Sequence, residues 1–178
     1  YSASLQIRMT GAEHDFAVSL GKIGFRTIAL DTSGGNFSLS INGVAVFCRG
    51  ACWTPLDPVT LRANAAITHA AVAQASTAGM NMLRIAGTMV YEEEHFFNAC
   101  DELGMLVWQD FMFANMDYPV DDPAFMESVA VEVRQQLRSI QSNPCLALLC
   151  GNSEVEQQAA MWGASREAWR SPLFDETL

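Results

Sequence analysis

The chain has 178 residues, half of them apolar, which is enough to bury one hydrophobic core and excludes a disordered protein. Lys and Arg number 10 against 20 Asp and Glu, giving a net charge of -10, and the basic residues are scattered singly, which excludes nucleic acids and anionic membrane surfaces as partners. No apolar run approaches the ~20 residues of a membrane-spanning helix, so we expect a soluble protein of the cytoplasm or the periplasm.

The cysteines and the acidic residues do not form a recognisable metal site. Five cysteines stand at positions 48, 52, 100, 145 and 150, an odd number without CxxC spacing, which predicts free thiols. Glu92-Glu93-Glu94-His95 is explained by the preference of acidic side chains for the start of a helix. We therefore predict neither a metal nor a cofactor.

The first 34 residues predict short antiparallel strands. Leu5–Met9 and Phe16–Leu20 alternate apolar and polar residues, and Gly24–Leu30 adds a further strand. These strands are too few to bury a sandwich by themselves. We therefore predict that residues 1–34 are the C-terminal strands of an immunoglobulin-like β-sandwich domain whose beginning lies outside this chain.

The next segment predicts a hairpin and then an alternation of strands and helices. Asn42-Gly43 supplies the two positive φ values of a type I′ turn between apolar runs. Strands are predicted at Val44–Phe47, Met82–Ile85, Leu106–Gln109 and Leu146–Leu149. The helices between them are predicted at Thr60–Ala78, Glu92–Leu103 and Pro123–Ser142, the last with Asp122 as its N-cap.

Such an alternation predicts a parallel sheet with right-handed crossovers, for which two architectures compete. A doubly wound nucleotide-binding fold needs a glycine-rich phosphate loop after its first strand, and residues 48–53 lack one. A (β/α)8 barrel places its chemistry after every strand at one end, and polar or aromatic side chains follow each predicted strand. We therefore predict an α/β fold in which residues 35–178 form the first half of a TIM barrel.

The ends of these strands supply the candidate site residues. Glu154 follows an apolar strand at its carboxyl end, where α/β folds place reacting groups, and a carboxyl group there suits general acid catalysis. The alternative is that Glu154 opens the next helix, where the helix dipole favours an acid. Plain core packing is the alternative for the tryptophans, and a structural hydrogen-bonding role is the alternative for Asp110. The candidates for binding a substrate are Trp53, Asp57, Arg84, Trp108, Asp110, Asn152 and Ser153.

Seven short motifs, spread in order along nearly the whole chain, carry a resemblance to a known family. They are Gly24-Phe25-Arg26, Ile41-Asn42-Gly43, Arg49-Gly50-Ala51-Cys52-Trp53-Thr54-Pro55-Leu56-Asp57, Ala78-Gly79-Met80-Asn81-Met82-Leu83-Arg84, Cys100-Asp101-Glu102-Leu103-Gly104, Val107-Trp108-Gln109-Asp110-Phe111-Met112-Phe113 and Cys150-Gly151-Asn152-Ser153-Glu154. Together these motifs resemble glycoside hydrolase family 2 and, within it, the β-mannosidases.

The resemblance implies a retaining exo-glycosidase that hydrolyses terminal β-mannosides, built on a TIM barrel preceded by β-sandwich domains. It implies that Glu154 is the catalytic acid/base and that the nucleophile lies on a later strand, beyond Leu178. Retaining hydrolysis needs this second carboxylate ~5–5.5 Å from the first. We therefore expect the chain alone to be inactive, and we expect the rest of the barrel or a second copy to cover the open edges of its sheet.

Three differences from the family pattern leave the substrate open. Ser153 replaces an asparagine that contacts the sugar 2-hydroxyl, residues 86–89 replace a loop with a tryptophan and several glycines, and Cys52 replaces an asparagine. Another β-glycoside, such as a β-glucosaminide, is therefore an alternative substrate. Two alternatives without this chemistry are a non-catalytic sugar-binding module and a structural half barrel that self-associates. An inverting enzyme with Asp110 as the second carboxylate is a further alternative, against which the resemblance argues.

Overall fold

The computed structural model describes residues 1–11, 14–115, 118–171 and 173–178 and contains three sheets. The strands are β1 (Ser2–Ile7), β2 (Phe16–Lys22), β3 (Ile28–Asp31), β4 (Ser38–Ile41), β5 (Val44–Val46), β6 (Gly50–Trp53), β7 (Met82–Ile85), β8 (Leu106–Asp110) and β9 (Leu146–Cys150). The α-helices are α1 (Ala65–Thr77), α2 (Glu94–Leu103), α3 (Pro123–Ile140) and α4 (Val155–Met161). Among the described residues, no helix combines the length and the apolar character that crossing a membrane requires.

The N-terminal segment forms antiparallel strands, as predicted. β1 pairs with β2 so that Leu5 lies opposite Val18 and Ile7 opposite Phe16, and these apolar side chains are exposed. The predicted strand Gly24–Leu30 is shorter and later in the structure, because β3 begins at Ile28. β3 pairs with β4, so this sheet is continuous across residue 34, and the division of the chain into two domains there stays a prediction.

The hairpin β4–β5 has the predicted turn, but its second arm does not begin the parallel sheet. Asn42 and Gly43 have φ values of 52° and 79°, as a type I′ turn requires. The turn folds β5 back onto β4 in antiparallel pairing, so the prediction of Val44–Phe47 as the first parallel strand is wrong. The first parallel strand is β6, which pairs with β7. Gly50 permits this close pairing, because a Cβ atom there would collide with the Met82 carbonyl oxygen.

The four remaining strands form a parallel sheet in the order β6-β7-β8-β9, with one α-helix in each connection. The α/β class is therefore confirmed, and the completion of this sheet into an eight-stranded barrel stays a prediction. Local signals placed the helix ends: the Asp122 side chain accepts a hydrogen bond from the Ala124 N–H, and Gly104 ends α2 with a φ of 68°. Helix α1 begins later than predicted, because Asn64 caps it by accepting from the Ile67 N–H.

The two faces of the parallel sheet differ in character. We call the face that packs on the helices the helix face; Leu83, Ile85 and Val107 are buried there against Val72 of α1 and Phe96 of α2, among others. Strand β9 is covered less than its apolar sequence predicts, since Leu149 is 46% exposed at the edge of the sheet.

The opposite face carries polar groups, because successive side chains of a strand point to alternate sides. Cys52, Arg84, Trp108 and Leu148 occupy one row across it, in register from β6 to β9. We call this the polar face. At its amino end the hairpin β4–β5 leaves a cavity of about 510 Å³, which is lined by residues that include Leu39, Phe47, Met82, Trp108 and Leu148.

Candidate active site

An ion pair lies at the centre of the polar face. The Arg84 Nη2 atom lies 2.6 Å from the Asp110 Oδ2 atom, and Asp110 is fully buried. The Gly87 N–H donates to the same Oδ2 atom at 3.2 Å. A buried carboxylate is tolerated only with a counter-charge and hydrogen bonds of this kind. The hydrogen bond to Asp110 also raises the pKa of Arg84, so the guanidinium keeps its charge.

Two further side chains complete this cluster. The Ser153 Oγ atom lies 3.4 Å from Arg84 Nη2, and Ser153 is only 4% exposed. The Arg84 guanidinium carbon lies over the Trp108 ring, 4.9 Å from its centroid, a distance at which a cation and an aromatic face attract. We call Arg84, Trp108, Asp110 and Ser153 the Arg84 cluster. Four of the predicted site residues therefore meet at one place.

Glu154 follows this cluster directly and has an unusual backbone conformation. Its φ of 64° and ψ of 15° lie in the left-handed region, which costs a residue other than glycine about 1–3 kcal/mol and is concentrated at functional sites. Glu154 occupies the N-cap position of α4, as the helix-start alternative requires, but its side chain makes no capping hydrogen bond. The exposed carboxylate is thus not held by a capping hydrogen bond, and the alternative of a favourable helix dipole stays open for Glu154.

Asn152 shapes the turn that leads to Glu154. Its Oδ1 atom accepts a hydrogen bond from the Val155 N–H at 3.1 Å, and its carbonyl accepts one from the Cys150 thiol at 3.1 Å. The side chain therefore closes the turn from residue 152 to residue 155, and the left-handed residue Glu154 lies within this turn. The predicted substrate contact of Asn152 stays a prediction.

Trp53 and Asp57 have other surroundings. Trp53 pairs with Ile85 and therefore belongs to the helix face, where its ring packs 5.0 Å from that of Phe96. Its indole Nε1 donates to the Glu92 Oε1 atom at 2.9 Å. The Asp57 Oδ1 atom accepts from the Val59 N–H at 2.8 Å and from the Thr60 N–H at 3.2 Å, and these bonds lower the pKa of Asp57. The structure gives both residues local structural contacts, and their predicted substrate contacts stay predictions.

Two residues that shape this site, Gly87 and Tyr91, were not among the predicted site residues. A Cβ atom on Gly87 would lie 2.7 Å from the Phe111 carbonyl oxygen and 3.0 Å from the Ser153 Cβ atom, so a larger residue would displace the cluster. The hydroxyl of Tyr91 bridges two other elements, Glu132 of α3 and the Met112 backbone. A glycine just after a strand is a signal for close approach of another segment, whereas nothing in the sequence marks Tyr91.

The acidic run before α2 has structural partners. Glu92 binds the indole of Trp53, and His95 lies between the Glu93 carboxylate at 3.4 Å and the Thr68 hydroxyl at 3.2 Å. Within the described residues, no group of three or more His, Cys, Asp or Glu side chains is arranged to hold a metal ion.

Individual relatives, rather than a family model, show what this chain is similar to. No family model matches the chain. The β-mannosidase of Rattus norvegicus is 39% identical to it over 141 residues, and that of Bos taurus is 39% identical over 146 residues. The two alignments cover 76% and 79% of this chain but 16% of each relative, so the chain spans about one sixth of their length.

A solved structure shows the same arrangement of elements. The crystal structure of the β-D-mannosidase from Dictyoglomus thermophilum superposes with a TM-score of 0.80 at 34% identity, covering 93% of this chain and 20% of that protein. The similarity in sequence and the similarity in structure thus both extend over most of this chain. Over most of its length the chain is similar to β-mannosidases of glycoside hydrolase family 2.

Proposed function

We propose that this chain is the acid/base part of an enzyme that hydrolyses terminal non-reducing β-mannosides with retention of configuration. The observation that carries the proposal is the strained, exposed carboxylate of Glu154 at the carboxyl end of a parallel strand, next to a buried polar cluster. Relatives also support the proposal, because the similar proteins from rat and cattle are named β-mannosidases. The substrate in this proposal is a carbohydrate.

In the proposed mechanism Glu154 acts twice. Its carboxyl group first protonates the glycosidic oxygen while a nucleophilic carboxylate attacks the anomeric carbon, so the leaving group departs and a glycosyl-enzyme forms. The Glu154 carboxylate then takes a proton from the water that attacks the same carbon and releases the sugar. The two carboxylates must lie ~5–5.5 Å apart. We propose that the nucleophile comes from further sequence of the full-length protein, as the one-sixth coverage of the relatives leaves room for it.

Asp110 has a different role in this proposal. Arg84 approaches both of its carboxylate oxygens, the Gly87 N–H donates to one of them, and the residue is fully buried. A nucleophile or a base needs an oxygen that can reach the anomeric carbon or a water molecule. We therefore propose that Asp110 orders Arg84 and Ser153, and that Arg84 and Trp108 border the sugar. This assignment argues against the inverting alternative.

The open edges of the parallel sheet need cover in the working enzyme. β6 and β9 each have one neighbour in the described sheet, and a strand with an unpaired edge is prone to pair with other chains. We propose that later strands of the full-length protein pair with these edges. A second copy of the chain is the alternative, which the oligomeric state of the full-length protein would test.

The proposal is tested by replacing Glu154 with glutamine in the full-length protein. We expect kcat/KM for phenyl β-mannoside to fall about 10²–10⁴-fold, the usual contribution of a general acid. Glu156→Gln is a matched control, because Glu156 is also an exposed glutamate at the start of α4, and it should leave the activity unchanged. Unchanged hydrolysis by the Glu154→Gln variant would contradict the assignment.

The same assay separates the alternative functions. A higher kcat/KM for an aryl β-glucosaminide than for the mannoside would assign the other substrate, to which the difference at Ser153 points. Mannose binding by calorimetry without turnover of any aryl glycoside would favour the sugar-binding module.

A further inference from the structure

Two tyrosine hydroxyls hold the segment 111–114, which connects β8 to the loop before α3. The Tyr91 hydroxyl accepts a hydrogen bond from the Met112 N–H at 3.2 Å. The Tyr118 hydroxyl donates to the Ala114 carbonyl at 3.1 Å. The segment is thus bound through its backbone at two positions, Met112 and Ala114. Its apolar side chains Phe111 and Phe113 are buried in the same cluster as both tyrosine rings.

Tyr91 is itself anchored to a helix. Its hydroxyl donates to the Glu132 Oε1 atom of α3 at 2.8 Å, while it accepts from the Met112 N–H. Burial raises the pKa of Tyr91, so the phenol keeps its proton and remains a donor throughout the neutral range. One hydroxyl therefore joins the loop after β7, the segment after β8 and helix α3.

The segment 111–114 lies against the turn that carries Glu154. Its Phe111 N–H donates to the Cys150 carbonyl at 2.9 Å, and Ala114 pairs in parallel with Ser153. Ser153 directly precedes the left-handed residue Glu154. A shift of segment 111–114 is therefore transmitted through the Ala114–Ser153 pairing to the backbone of the proposed acid/base.

We propose that Tyr91 and Tyr118 are positioning residues for Glu154: their hydroxyls hold segment 111–114 in place, and the segment holds the strained turn in the geometry that acid catalysis needs. This inference rests on the proposed role of Glu154. Neither hydroxyl touches the substrate in this scheme. An error of about 1 Å in the position of a catalytic group can cost 10²-fold in rate, so small changes in the segment should be measurable.

The test uses the dependence of the reaction on its leaving group. Phenyl β-mannoside needs protonation of the departing oxygen, whereas 2,4-dinitrophenyl β-mannoside releases a stable anion without it. The ratio kcat/KM reports only the steps up to this bond cleavage. In the full-length Tyr91→Phe variant we expect kcat/KM for the phenyl substrate to fall about 10–100-fold and that for the dinitrophenyl substrate to fall less than about 3-fold.

Three companion variants make the result specific. Tyr118→Phe should show the same selective loss, and it replaces Tyr91→Phe as the test if that variant does not fold. Glu132→Gln keeps an oxygen acceptor for the Tyr91 hydroxyl and should retain most of the activity on both substrates. Tyr1→Phe removes the hydroxyl of the exposed third tyrosine and should have no effect.

A double variant distinguishes this inference from the proposed function. In a Glu154→Gln background the Tyr91→Phe change should cause no further loss, because the group that it positions is gone. Equal losses on both substrates, no loss on either, or additive losses in the double variant would each overturn the positioning role. Full activity of the Glu154→Gln variant would instead overturn the proposed function.

Discussion

The two faces of the parallel sheet are made by the same strands and have opposite properties. On the helix face, Leu83, Ile85 and Val107 are buried among apolar side chains of the helices. On the polar face, Arg84 pairs with the buried carboxylate of Asp110 and lies over the ring of Trp108. The same strand can thus stabilise the fold on one side and carry polar groups on the other, because its side chains alternate between the two faces.

The interactions that stabilise the helix face and the polar face also differ in kind. Apolar burial on the helix face stabilises the fold by roughly 25 cal/mol for each Å² removed from water. The ion pair on the polar face contributes little net stability, since the cost of removing the Asp110 charge from water offsets the attraction to Arg84. Substitutions on the two faces should therefore separate loss of stability from loss of activity.

The largest effect on stability is expected on the helix face. Phe96→Ala removes a fully buried ring that packs on Trp53 and should lower the free energy of unfolding by about 3–5 kcal/mol. Chemical denaturation of the full-length protein measures this loss. Val59→Ala, in an exposed loop, is the control and should change it by less than about 0.5 kcal/mol. A loss of similar size in both variants would contradict the prediction that burial on the helix face stabilises the fold.

A smaller effect on stability with a larger one on activity is expected on the polar face. Asp110→Asn removes the counter-charge of Arg84 and should cost about 1–3 kcal/mol of stability, because Arg84 is partly exposed to water. It should also lower kcat/KM at least about tenfold, since the contact between Arg84 and Ser153 is no longer held.

The control for this variant is Glu127→Gln. It breaks the exposed pair of Glu127 with Arg134 and should change stability by less than about 1 kcal/mol without affecting activity. Wild-type kcat/KM in the Asp110→Asn variant would show that the polar face is not part of the active site.

The smallest expected effect depends on pH. Burial raises the pKa of Glu92, although the hydrogen bond from Trp53 partly opposes the shift, so the folded protein favours the protonated form. The contribution of this raised pKa to the free energy of unfolding is therefore complete below the ordinary carboxyl pKa of about 4.3. It is lost as the pH rises through the raised pKa. Glu92→Gln should thus raise the melting temperature at pH 7.

Thermal unfolding at two pH values checks this prediction. The advantage of Glu92→Gln should disappear at pH values below the ordinary pKa, where the wild-type carboxyl is also neutral. Glu94 is an exposed acid in the first turn of α2, where the helix dipole stabilises its carboxylate. Glu94→Gln should therefore show no such gain in melting temperature at neutral pH. A gain from Glu92→Gln that is independent of pH would contradict the burial argument.

Local signals in the sequence predicted much of the fold correctly. The turn at Asn42-Gly43, the N-cap at Asp122 and the end of α2 at Gly104 all depend on the conformation of one or two residues, which their chemistry decides. The strand Met82–Ile85 was predicted with its observed bounds. The family motifs were also visible without a structure, since they are short and occur in a fixed order.

The first parallel strand was misplaced for a physical reason. Val44–Phe47 has the stronger apolar pattern, but the type I′ turn before it commits this run to antiparallel pairing with β4. Gly50–Trp53 has a weaker strand pattern and joins the sheet because its glycine allows close approach to Met82. For Gly50–Trp53, pairing with the distant strand β7 thus overrode a weak local preference.

By itself, the sequence determined the alternation of helices with the strands β7, β8 and β9, the turn at Asn42-Gly43 and the resemblance to a family. Tertiary structure alone decided which tryptophan lies on which face: Trp53 pairs with Ile85 on the helix face, whereas Trp108 pairs with Arg84 on the polar face. A shift of one residue in strand pairing moves a side chain to the other face, and the pairing is set by contacts far apart in sequence. The contacts of Gly87 and Tyr91 with segment 111–114 are of the same long-range kind, which is why composition and spacing do not reveal them.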